Sequence, residues 1–293
     1  MTDKIASMRT SKKMKNFMLC FWLYTLLVIL WGAWVRISHS GNGCGDHWPL
    51  CSGQFIPDLS IKKTWIEYSH RLMSGVYGLL VLVIFVKIKV SRYSQQIQRL
   101  KWFLLFFMIS EALLGALLVK GQLVTTNDSV YRLVVMSFHQ LNSFLLTGFT
   151  FLLYLALKNQ PDHYQVTSIK PFLFFIFLAV SGAIASLSTT LFPSISLFQG
   201  ILQDFSGDSH LFVRLRILHP LLAVTIAGSF AYWLFNHNQS RLAAEFLVAI
   251  CVGIITLLTL SPVYLKLSHL LIAHLLWARL FYVFVSSPDS SKR

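Results

Sequence analysis

The sequence predicts an all-α membrane protein: eight transmembrane helices forming two pseudo-symmetric four-helix bundles. Three observations predict it. Of 293 residues, 55% are hydrophobic and only 12% charged, about half the charged share of a soluble domain. Apolar runs of roughly twenty residues recur, each long enough to cross a hydrocarbon core about 30 Å thick, and they lack the short alternating pattern of barrel strands. A histidine also recurs within the first two turns of every second run, at His70, His139, His219 and His269.

The expected spans are residues 17–36, 67–87, 101–120, 133–157, 171–190, 211–235, 243–261 and 264–285. Lys12, Lys13 and Lys15 before the first run give it the look of a secretory leader. It continues too long and lacks a small-residue cleavage site, so a retained helix is expected. The outer loop 37–66 has room for a short interfacial helix around Ile61–Ile66, anchored by Trp65. The second outer loop, 188–210, carries Asp204, Phe205, Gly207 and Asp208.

A net charge of +14 in a soluble protein would point to nucleic acid; here it reports topology, and no nucleic-acid partner is expected. Lys4, Arg9, Lys12, Lys13 and Lys15 precede the first span. Lys87, Lys89, Arg92, Arg99 and Lys101 follow the second, Lys158 and Lys170 flank the next loop on that side, and Arg241, Lys292 and Arg293 complete the set. The positive-inside rule then places both termini in the cytoplasm, where these groups also meet anionic lipid of the bilayer.

The chain thus divides into a basic cytoplasmic N-terminus (1–16), an N-terminal bundle (17–157), a cytoplasmic linker (158–170), a C-terminal bundle (171–285) and a cytoplasmic tail (286–293). An internal echo supports the division. Phe138-His139-Gln140-Leu141-Asn142 aligns with Ser268-His269-Leu270-Leu271-Ile272, and Gly115-Ala116-Leu117-Leu118 with Gly253-Ile254-Ile255-Thr256. His70-Arg71 and His219-Pro220 match more weakly. Such a repeat in one direction implies a two-fold axis along the membrane normal.

Cys20 and Cys251 fall in apolar helices and read as small core residues. Cys44 and Cys51 lie in the first outer loop, where an oxidising compartment favours a disulfide. A metal site made of Cys44, His47 and Cys51 is the alternative.

An ionisable side chain inside hydrocarbon is costly and marks function by default. Four histidines at one depth on four helices suit axial ligation of haem, His70 with His139 and His219 with His269. His274 competes with His269, but the repeat leaves it opposite Phe144, so it reads as a helix–helix contact or a proton-path residue. Glu67 lies three residues before His70, on the same helix face. It is either a base or charge stabiliser beside the iron, or a helix-end carboxylate facing the dipole and water. Glu111, inside the third span, is a proton-relay candidate. Among basic residues near outer helix ends (Arg71, Lys120, Arg132, Arg214, Arg216 and Lys266), Arg214 and Arg216 precede His219 and are favoured as partners for haem propionates. Interfacial snorkelling is the other reading. His39, His47, His163, His210 and His237 fall in or near loops and are expected to be solvated.

At this point the chain resembles the haem A synthase family. The resemblance is carried by Gly43-Cys44-Gly45-Asp46-His47-Trp48-Pro49-Leu50-Cys51, Gly53-Gln54, Ile56-Pro57 and Glu67-Tyr68-Ser69-His70-Arg71. His139, Arg216-Ile217-Leu218-His219-Pro220, and Pro262-Val263-Tyr264 leading to His269 extend it. It implies two four-helix bundles, haem B as cofactor between His219 and His269, and haem O as substrate near His70 and His139. It further implies Glu67 as the catalytic carboxylate and oxidation of the C8 methyl of haem O to a formyl group through successive hydroxylations. Cys44 and Cys51 match the family's outer-loop disulfide, and Arg71 joins Arg214 and Arg216 as a propionate contact. Expected partners are a haem O synthase delivering substrate, an electron donor or acceptor, and a second copy in a homo-oligomer. The sites are expected near the outer face of the cell membrane. His274 and spans five and seven depart from the family pattern. The competing class is a di-haem B electron-transfer cytochrome, with a non-catalytic haem carrier third. Glu67 and the cysteine loop, present in one half only, favour an enzyme.

Overall fold

The computed structural model describes residues 12–89, 93–159 and 165–286. Lys4, Arg9, Arg92, His163, Lys292 and Arg293 lie outside the described residues, as do parts of the expected N-terminus, linker and tail.

Among the described residues, eight helices are long and apolar enough to cross a membrane, making this a multi-pass membrane protein. Spans one to four are Lys12–Ile37, Lys62–Lys87, Gln95–Lys120 and Val130–Asn159. Span five is Lys170–Leu191, span six runs from Leu211 to Asn236, and spans seven and eight are Ser240–Leu258 and Val263–Phe284. Several begin earlier than hydropathy indicates, because a helix continues through polar residues until something stops it. Ser94 caps span three by accepting from the Ile97 amide, and Pro171 sits in the first turn of span five, where its missing N–H costs nothing. Span seven stops at Leu258 rather than 261. Leu260 and Ser261 take left-handed φ values of 60° each before Pro262, and the residue before a proline disfavours helix.

Two expectations are corrected. Ile61–Ile66 is no separate interfacial helix: with neither glycine nor proline between 62 and 67, span two continues through it. Trp65 instead packs edge-on against Trp31 and Trp34 of span one. Cys20 and Cys251 face outward rather than into the core.

Neighbouring spans one to four pack in a closed ring, span one returning against four, and spans five to eight do the same. Span four is the most buried and also touches five and eight, while eight touches one. The crossing of four and eight is close because residue 148 is glycine: a Cβ there would lie 2.5 Å from the Phe281 ring and 2.6 Å from Trp277 Nε1. Trp277 Nε1 donates to the Phe144 carbonyl at 2.6 Å, fully buried. Outside the spans, a nine-residue helix, Leu197–Phe205, lies in the connection between spans five and six. A two-residue antiparallel pairing joins Gln165–Val166 to Val285–Ser286 at the opposite end.

Candidate functional site

Each of the four histidines faces a glycine on the preceding span. A Cβ on Gly32 would sit 2.8 Å from His70 Cε1, and one on Gly182 2.9 Å from His219 Cε1. The corresponding separations are 3.0 Å for Gly253 against His269 and 3.9 Å for Gly115 against His139. A helical rise of about 1.5 Å per residue puts the imidazoles, six to nine residues inside their spans, about 9–14 Å from the helix starts. His70, His139 and His219 thus lie in the third turn and His269 in the second. All four rings are only half-buried, and Nδ1 of His70, His139 and His269 lacks a hydrogen-bond partner.

The second pair is the more completely formed. The His219 and His269 ring centroids are 6.1 Å apart at 68°. Two metal–nitrogen bonds of about 2 Å each and two half-rings fill that separation, so this donor set fits an iron ligated on both faces. Ser181 Oγ lies 3.0 Å from His219 Nδ1 and fixes the ring. Pro220 cannot donate to the preceding turn, and a π-helical turn, Ala223–Ala227, follows it; such bulges gather at functional sites. Around the pair lies a cavity of about 360 Å³, within the size range of cofactor pockets. Its walls include Gly182, Phe175, Ala223, Gly253 and, from the first ring of helices, Arg36 and Gln140.

The first pair has different neighbours. Glu111 Oε1 is 3.5 Å from His139 Nδ1, and its Oε2 accepts from Asn142 Nδ2 at 2.6 Å. Asn142 Oδ1 in turn accepts from Ser110 Oγ at 2.5 Å. Glu67 is buried, 3% exposed, so it is not a carboxylate facing water. Its Oε2 accepts from the Cys44 amide at 2.8 Å and its Oε1 from Arg71 Nη2 at 2.5 Å. Arg71 Nη1 also donates to the carbonyls of His47 and Leu50. Glu67 and Arg71 therefore clamp the cysteine loop onto span two, one turn above His70. Cys44 and Cys51 form a disulfide, which removes the metal alternative with His47. Gly43 has backbone packed directly against it: a Cβ there would collide with the Lys63 carbonyl.

The other site expectations fare unequally. Arg214 is exposed. Arg216 is buried but committed: Nε donates to Asp204 Oδ1 at 2.6 Å, Nη1 to Phe192 O, and Nη2 to Ser194 Oγ and Gly200 O. Like Arg71, it pins a loop between two spans. His274 is 1% exposed, stacks on Phe144 at 4.0 Å and 12°, and shares a 3.1 Å hydrogen bond with Thr147 Oγ1. That is the helix–helix contact the repeat implies. His210 is not simply solvated: its Nδ1 accepts from the Phe212 amide and its ring stacks on Phe192. Sequence reasoning missed Gly32 and Gly182 as ring-facing positions and Arg36 as a cavity residue. A glycine one helix before each histidine was the available signal for the first two.

The molecule so described is a polytopic helical membrane protein presenting two pairs of imidazoles between its spans. It belongs to the cytochrome oxidase assembly protein family COX15-CtaA, the haem A synthase family, whose model matches residues 15–281. Among curated relatives, a protoheme IX farnesyltransferase of Thermus thermophilus is 33% identical over 290 residues, 90% of this chain and 46% of that protein. The chain thus spans about half the length of that relative. The heme A synthases of Symbiobacterium thermophilum and Bacillus cereus are 42% and 41% identical over 92 residues, 31% of this chain and 30% of each of theirs.

Proposed function

We propose that this protein is a haem A synthase, oxidising the C8 methyl group of haem O to a formyl group. In this reading His70 and His139 flank the iron of the substrate haem O, and His219 and His269 hold a haem B cofactor. The observation that carries it is the fourfold pairing of a histidine with a facing glycine. A Cβ at Gly32, Gly182 or Gly253 would crowd the facing imidazole at 2.8, 2.9 and 3.0 Å, so the missing Cβ lets each ring lie against the neighbouring span, while Gly115 leaves 3.9 Å to His139. Reciprocal contacts, four with five and eight with one, support two halves related by duplication.

Haem B supplies one-electron redox chemistry when bound, and the cavity around His219 gives it a largely apolar, water-poor setting. At the first pair the loop held by Cys44–Cys51, Glu67 and Arg71 shields the outer side. The Glu67 carboxylate, one turn from His70, is positioned to accept a proton or offset positive charge as the methyl carbon is oxidised. Arg71 and the Cys44 amide fix its orientation. The Thermus relative's name describes a protein more than twice as long as the matched part, so it weighs little on this chain's reaction. Basic loops at one end and a disulfide at the other support cytoplasmic termini and haem sites near the outer face of the cell membrane. A haem O synthase as source of substrate and a separate redox partner complete the proposal.

The test is extraction and chromatography of haems from protein purified from cells that make haem O. Haem B together with haem A or a hydroxylated haem O is expected. Haem B alone, two per chain and unchanged when haem O is supplied, would instead identify an electron-transfer cytochrome.

A further inference from the structure

Burying a cation costs several kcal/mol unless an opposite charge lies beside it. Two arginines meet that condition, Arg71 with Glu67 and Arg216 with Asp204. Arg36 and Lys266 do not: among the described residues, neither has a carboxylate within ion-pair distance. Arg36 reaches across from span one, where Nη2 donates to Ser186 Oγ of span five at 3.2 Å. Its Nε is buried without an acceptor. Lys266, one turn before His269, donates from Nζ to Thr190 Oγ1 at 3.2 Å. Both line the cavity that holds His219 and His269.

The charged side chains of that cavity are Arg36, Arg216 and Lys266 against Asp204 alone, a net charge of +2 with the histidines neutral. Among the described residues, no further lining carboxylate offsets it. A ligand that does must carry two negative charges, lie within reach of the imidazoles, and be otherwise apolar, because the remaining walls are. A porphyrin with two propionates has this description. From these residues we infer that Arg36 and Lys266 form a dicarboxylate subsite, binding the propionates of the porphyrin whose iron lies between His219 and His269. The inference rests on the cofactor assignment above.

It moves the propionate contact away from Arg214 and Arg216. Arg214 faces outward, and Arg216 spends its donors on Asp204 and Gly200 of the connection between spans five and six. It also gives span one a role in the second site. Arg36 is one turn beyond Gly32, which faces His70, so one helix serves both histidine pairs. Lys266 and His269, three residues apart on one helix face, would engage the carboxylate and the iron of one ligand, with the carboxylates toward the outer end.

The experiment uses the full chain loaded with haem in detergent, with excess apomyoglobin to capture released haem. Wild type, Arg36→Gln, Lys266→Gln, the double variant and Arg214→Gln are compared, and the ferric spectrum reports ligation. The double variant is expected to release haem roughly tenfold faster or more, from the loss of charge-assisted hydrogen bonds, with an unchanged bis-imidazole spectrum. Arg214→Gln should match wild type. Wild type should hold haem more tightly than its dimethyl ester, and the double variant should lose that discrimination. Release from the double variant at the wild-type rate, or equal retention of acid and ester by wild type, would overturn the subsite. If the double variant fails to fold, Arg36→Lys with Lys266→Gln carries the same comparison. Failure of the cofactor assignment looks different: His219→Ala and His269→Ala would then leave the bis-imidazole spectrum intact.

Discussion

The two histidine pairs share a scaffold and differ in what surrounds it. In both, an imidazole two or three turns into an even-numbered span faces a glycine on the span before. Around His219 and His269 the neighbours are a serine hydroxyl, small apolar residues and two uncompensated cations. Around His70 and His139 they are two carboxylates, Glu67 and Glu111, and a disulfide-closed loop. Paired rings alone provide ligation. On the proposed function, acids beside one pair serve proton transfer and cations beside the other retain an anionic ligand. On this reading a duplicated binding unit became one reactive site and one holding site through changes in neighbours, with the ligand positions left alone.

The most severe way to break the comparison is to remove a ligand. His219→Ala or His269→Ala should abolish the haem spectrum of the second site, whereas His274→Ala should keep it, because His274 is occupied with Phe144 and Thr147. Loss of haem in His274→Ala alone would show that the pairing is wrong. Next comes the acid that distinguishes the halves. Glu67→Ala should leave haem B bound and stop haem A formation, read by haem chromatography; full turnover would remove Glu67 from the chemistry. Glu67→Gln separates charge from the contact to Cys44, since an amide oxygen still accepts that hydrogen bond.

A graded effect is expected from the glycines. Gly182→Ala places a methyl 2.9 Å from His219 and should shift the ligand ring, visible as a changed spectrum and lower haem content. Gly115→Ala leaves 3.9 Å to His139 and should be tolerated. Opening the Cys44–Cys51 disulfide removes a short-loop constraint of about 2–3 kcal/mol in the chain-entropy account. Its effect should appear in thermal unfolding and at the first site, with the second-site spectrum unmoved. The smallest measurable loss is expected from Ser181→Ala, worth about 1 kcal/mol of ring positioning. It should weaken haem retention several-fold at the second site only.

Much of this was legible in the chain. Length and hydropathy delivered the number and order of the spans, since crossing a bilayer demands about twenty apolar residues whatever the fold. They did not deliver the helix starts, because residues such as Lys62, Lys63 and Thr64 join span two through backbone hydrogen bonding that hydropathy ignores. The loop cysteines were readable as a disulfide, but the partners of Glu67 were not: the Cys44 amide is 23 residues away in the chain, and folding alone brings it there. The partners of the arginines were hidden for the same reason. Arg216 was favoured as a propionate partner because it precedes His219, and in the fold it contacts Asp204, Phe192 O, Ser194 Oγ and Gly200 O.

The sequence by itself therefore determined a helical membrane protein of eight spans, with four histidines at related depths, one acid ahead of the first, and one outer cysteine pair. These follow from local rules: the solvent chosen by each segment, the helical repeat, and the cost of a polar side chain in hydrocarbon. Only the tertiary structure decided which glycine faces which imidazole, which cations are neutralised, and that Arg36 of span one lines the cavity of the second ring. Those outcomes depend on distances between helices far apart in the chain, and a charge or a missing Cβ acquires its meaning from what packs against it.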